Sequence, residues 1–186
     1  MIAAAEPVWV GDVWRFWFEE TPPEARFNGP PALDQAIRHR FFALYEAIAA
    51  APPPTRVLTA RSGLAAIVVL DQFPRNMFRG SARAFASDGL ARRLARDIVA
   101  AGLDAPLAPA CRLFLYLPFE HSEALADQER SVALIGTLGD ARLDDYARRH
   151  LEIIRRFGRF PHRNQALRRA STREEAAFLL APESAF

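Results

Sequence analysis

A chain of 186 residues, 51% of them hydrophobic, is long enough for a single domain with a sizeable core, and its apolar runs fall far short of the ~20 residues that span a bilayer. One cysteine, Cys111, excludes an internal disulfide framework and reads as a small buried residue in a protein of the reducing cytoplasm. The formal charge is only +2 and every base is arginine, yet residues 142–173 set ten arginines against three acids, a net +7 that makes either a basic surface or a set of inward-facing arginines.

Helical spacing dominates, and no alternating strand is found. No basic region precedes the apolar part of "MIAAAEPVWVGDVWRF", so no signal peptide is expected. The first helix is predicted from about Val8 to Glu19, with Trp9, Val13, Phe16 and Trp17 on one face and Val10, Trp14 and Phe18 on another. So much aromatic surface is buried on most sides or meets a second copy of the chain. "TPPEARFNGPP" reads as a loop. The second helix carries Leu33, Ile37, Phe41, Leu44 and Ile48 and stops at "APPPT". A third, from about Val57 to Gln72, is expected to end before Pro74.

"FASDG" opens the fourth helix, with Ser87 or Asp88 as cap, Leu90, Leu94 and Ile98 as stripe and Gly102 as stop. The fifth spans about Pro109 to Leu117 and is expected to end at Pro118. The sixth runs from near Ser122 to Gly136 or Gly139. Asp140 caps the seventh, on which Leu143, Tyr146, His150, Ile153 and Phe157 recur before Gly158; His150 lies on the apolar stripe and reads as a core histidine. Ser171 and Glu174 have capping-box spacing for a last short helix through Leu180. The expectation is one all-α domain, residues 1–186, of about eight helices in antiparallel hairpins.

Helices three, five and seven each run into a polar phrase: "DQFPRN" (Asp71–Asn76), "PFEHSE" (Pro118–Glu123) and "GRFPHRN" (Gly158–Asn164). In an up-down arrangement alternate helices point the same way, so these ends are expected on one rim. A helix C-terminus favours cations, which suits Arg75, Arg159, His162 and Arg163 and disfavours Asp71 and Glu120 by up to about 1 kcal/mol. Neighbouring arginines would compensate the two acids. The candidate ligand-binding set is Asp71, Arg75, Asn76, Glu120, His121, Glu123, Arg159, His162, Arg163 and Asn164.

Several roles are open to that set. Arg75–Asp71 and Arg163–Glu120 could be staples between helices, with Asn76 and Asn164 capping carbonyls. Arg75, Arg79, Arg159, Arg163 and His162 could hold a phosphate or carboxylate, so a small anion or an acidic peptide is the expected partner. Glu120 or Asp71 with His121 or His162 could activate a water for hydrolysis. Asp71, Glu120, Glu123, His121 and His162 are metal-ligand types, but no H-E-x-x-H or paired C-x-x-C spacing occurs, and no metal or cofactor is expected. G-x-S-x-G and G-x-G-x-x-G are absent too. The arginines of 142–173 are spread around a helix without a recognised motif, so nucleic acid is not expected as a partner.

The strings "LDQFPRNMFRG", "AFASDGLA", "FLYLPFEHSE", "FGRFPHRN" and "STREEAAFL" resemble, in order and over nearly the whole chain, a bacterial family known only as a domain of unknown function, number 924. The resemblance implies an all-α, tetratricopeptide-like fold of helix hairpins stacked into a short superhelix. It implies no activity, cofactor or catalytic residue. The chain departs from the family pattern in "ARFNGPP", where Phe27 stands in place of a Trp-Phe pair.

Overall fold

The structure, a computed structural model, describes residues 6–181, and every regular element among them is helical. None of their helices is long and apolar enough to cross a membrane. They group into two compact units: one holds the chain up to Arg79 and Arg83–Pro118, the other Gly80–Ala82 and the chain from Phe119 onward.

In the first unit, helix α1 (Val8–Trp14) runs straight into a π-helical segment, Arg15–Glu20. The wider turn re-phases the apolar stripe, so Val10, Val13, Phe16 and Trp17 are all buried. It also frees carbonyls, and side chains take them up. The Thr21 hydroxyl donates to Phe16 O (2.7 Å), and Arg26 donates through Nη2 to Phe18 O (2.9 Å) and through Nε to Thr21 O (3.2 Å). The second aromatic face is partly covered from within the unit. The Trp14 indole donates to Arg61 O at 3.0 Å beneath the Arg61 guanidinium, and Arg26 stands 5.5 Å over the Phe18 ring. The stretch read as a loop contains a single helical turn, α2 (Ala25–Asn28), from which Phe27 stacks on Phe114 at 5.6 Å.

Helix α3 (Pro31–Ala50) starts on proline, whose missing N–H costs nothing in a first turn, and buries Ile37, Phe41, Tyr45 and Ile48. Helix α4 (Ala60–Ile67) begins at Thr59 in a reciprocal capping box with Ser62. It lies so close to helix α6 (Asp88–Ala100) that a Cβ on Gly63 would come within 2.7 Å of Ile98 Cδ1. The predicted third helix does not end at Pro74. It passes through a second π-helical segment, Val68–Gln72, into α5 (Phe73–Met77). Pro74 sits in the first turn of α5, where the π segment has already broken the hydrogen-bond register and no amide is required of it. Ser87 precedes α6 but makes no side-chain cap; its hydroxyl donates to Leu70 O at 2.6 Å, serving the π segment instead. Helix α7 (Pro109–Glu120) likewise continues past Pro118, ending two residues beyond it.

In the second unit, α8 (Leu125–Gly136) and α9 (Ala141–Phe157) pack as a hairpin, with Asp140 capping α9 by accepting from the Arg142 and Leu143 amides. Ile153, Ile154 and Phe160 form a core against which Phe157 and Phe178 pack. The last helix, α10 (Arg173–Leu179), has its capping box one residue later than the sequence suggested, between Thr172 and Glu175. The α9 stop is Gly158 at φ 69°, a left-handed conformation that a side chain resists. Gly158→Ala is expected to cost about 1 kcal/mol in urea denaturation although a Cβ there would meet no atom, because the penalty is conformational.

Candidate functional site

Asp71, Arg75 and Asn76 lie in the first unit, on the second π segment and α5. Asp71 is fully buried: Oδ2 accepts from the Gln72 amide (2.6 Å) and Oδ1 lies 3.4 Å from Arg75 Nη1. The same guanidinium donates to Asp71 O (2.6 Å) and to both carboxylate oxygens of Asp88 (2.9 and 3.0 Å). Burial alone would depress the Arg75 pKa; the charges of Asp71 and Asp88 outweigh it and hold the group above its ordinary value. Asn76 donates to Asp34 Oδ1 (2.8 Å), and Arg79 grips both oxygens of Asp34. Burial opposes ionisation of Asp34, but Arg79 and Asn76 lower its pKa overall.

The remaining candidates lie in the second unit, where the loop between α9 and α10 folds over the end of α7. Phe160 begins the "FPHRN" turn, and Pro161–Arg163 close a 3₁₀ turn. One network ties this loop down. Glu123 accepts from the Phe160 amide (2.8 Å) and from two nitrogens of Arg169 (2.8 and 3.0 Å). Arg169 also donates to Phe160 O and Asn164 Oδ1, both at 3.0 Å. Asn164 donates onward to Ser171 Oγ and Glu175. Arg159 takes Glu175 bidentately (2.6 and 2.8 Å), and that contact is the largest reason the Glu175 carboxyl is lowered to about 2. Burial works against the charge of Glu123, but Arg169, the Phe160 amide and nearby Arg163 lower its pKa overall. Arg169 and Glu175 are not among the sequence candidates; the capping-box spacing from Ser171 points to Glu174, whereas the structure uses Thr172 and Glu175.

Beside this network lies a cluster of different character. Glu120, at the end of α7, is buried, and its Oε1 is 3.7 Å from His150 Nδ1 on α9. His150 is buried as its place on the apolar stripe predicted, with Nδ1 2.9 Å from Tyr146 O and its ring edge against Phe160. Burial lowers the His150 pKa to about 3; His121, His162 and Arg163 add to the effect, and the Tyr146 carbonyl only partly opposes it. The ring is therefore neutral at pH 7, and a proton on Nδ1 directed at Tyr146 O makes Nε2 the acceptor nitrogen. Arg163 is 7% exposed, donates through Nη1 to His121 O (3.0 Å) and lies 4.6 Å over the Phe160 ring. His162 is exposed and packs its ring 5.5 Å from the same phenyl group. His121, His162 and Arg163 thus lie close enough to act on the charge of His150, and the buried Glu120 stands 3.7 Å from the same ring. Among the described residues, no three His, Cys, Asp or Glu side chains are grouped to hold a metal ion.

Ion pairs offset part of the charge of the basic stretch 142–173. Arg148 pairs with Asp144, Arg149 with Asp145, Arg155 with Glu152, Arg156 with Glu174 and Arg159 with Glu175. Such pairing leaves a weaker field for a polyanion than the formal charge suggests.

The profile of a family described as a bacterial protein of unknown function (DUF924) matches residues 13–183. No curated protein matches the chain. Among solved structures, that of the protein of unknown function ATU0120 from Agrobacterium tumefaciens is 38% identical, with a TM-score of 0.86, over 92% of this chain and 96% of that one.

Proposed function

The chain belongs to the DUF924 family of bacterial proteins, and for this member we propose a binding role: an all-helical cytoplasmic module that takes a small anion, a phosphate or carboxylate, at His121, His162 and Arg163 beside Glu120. An acidic peptide would offer the same carboxylates. The observation that carries this reading is the gathering of His121, His162 and Arg163 around His150, whose ring lies 3.7 Å from the buried Glu120. Arg163 supplies a guanidinium fork suited to the oxygens of a phosphate or carboxylate, and His162 is exposed to solvent. On this reading Glu123, Arg159 and Asn164 frame the loop, and Asp71, Arg75 and Asn76 frame the first unit.

Titration calorimetry with inorganic phosphate and with succinate tests it. Binding is expected to weaken about tenfold or more in the double variant His162→Asn/Arg163→Met, with the melting temperature little changed. Undiminished binding, or a collapsed melt, would favour a purely structural cluster.

A second reading, hydrolysis by Glu120 with His121 and His162, draws on one observation: the Glu120 carboxylate is buried 3.7 Å from a neutral histidine. Turnover of p-nitrophenyl phosphate or acetate that disappears in Glu120→Gln would support it; no turnover of either ester counts against it.

A further inference from the structure

We propose that Gln128 and Ser131 hold one internal water molecule that braces the turn at residues 120–122. Both side chains are fully buried. They stand one turn apart on α8, a spacing that puts helical side chains side by side, about 5–6 Å apart at Cβ. The Gln128 amide cannot be turned over: its Nε2 donates 2.6 Å hydrogen bonds to both Glu120 O and Ser122 O. Its Oε1 is therefore an acceptor, and neither it nor the Ser131 hydroxyl has a hydrogen-bond partner among the described residues.

A buried acceptor left bare forfeits its full hydration, which is why such groups are nearly always met by protein or by ordered water. The two side chains do not meet each other directly. A water molecule satisfies both atoms, giving one O–H to Gln128 Oε1 and accepting the Ser131 O–H. An ion does not, because neither side chain carries charge to offset its desolvation. The chain of contacts then runs from water to amide to the carbonyls of Glu120, the last residue of α7, and of Ser122 in the turn beyond, so Glu120 and His121 rest on a fixed turn. The inference is independent of any ligand at the histidine cluster.

A crystal structure of the full chain, at a resolution that shows ordered solvent, tests it together with the same structure of Ser131→Ala. The expected result is one solvent peak within about 3.2 Å of both Gln128 Oε1 and Ser131 Oγ, lost in the variant. A direct Gln128–Ser131 hydrogen bond, a dry gap, density larger than water, or a peak unchanged in Ser131→Ala would overturn the proposal.

Discussion

Replacing Phe73 with alanine is expected to lower the unfolding free energy by about 3–5 kcal/mol, read as a drop in the urea midpoint. The ring is fully buried at the start of α5 and touches three other aromatic rings, Phe41 at 4.8 Å, Trp17 at 5.6 Å and Phe16 at 6.1 Å. Those neighbours are held on α3 and on the first π segment and cannot collapse into the space. The loss therefore includes the cavity as well as the transferred surface. Phe73→Leu fills most of the volume and should cost clearly less. A loss below about 1 kcal/mol for the alanine variant would mean that these rings are not a packed core.

The second large effect is acid destabilisation through His150. Its folded-state pKa, about 3, lies below the ordinary 6.5, so between those values the unfolded chain binds a proton that the folded one refuses. Stability is then full above pH 6.5 and falls as the pH drops, with a slope of up to about 1.4 kcal/mol per pH unit for the one proton. Comparing wild type with His150→Gln from pH 6.5 down to 4.5 reports on the histidine, since the groups common to both proteins largely cancel in the difference. The variant should lose up to about 2–3 kcal/mol less than wild type over that range. Parallel curves would show that His150 is not buried neutral.

The helices were legible because their apolar residues recur at helical spacing, and His150 could be read as a core histidine from its place in that stripe. The two prolines were not. Pro74 and Pro118 look like stops, yet a π segment resets the register before the first, and only two residues follow the second. Nothing in "VVLDQ" or "RFWFEE" announces a π segment, since the carbonyls it frees are met by the Ser87 hydroxyl from seventeen residues away and by the Thr21 hydroxyl just past the segment. Ser87 does stand at the N-cap position of α6, but its hydroxyl answers a carbonyl seventeen residues away rather than its own helix. The polar phrases did mark Glu120, His121, Glu123, His162 and Arg163 as residues to watch. What they could not convey was the division of labour, because Arg169, Gln128 and Glu175 meet that segment through the fold and not through a motif.

The binding role is tested most directly by nuclear magnetic resonance of the histidine side chains during titration with inorganic phosphate. The account predicts saturable shifts at His121 and His162, with His39, exposed on α3 of the other unit, unaffected. Shifts no larger at His121 and His162 than at His39 would contradict it.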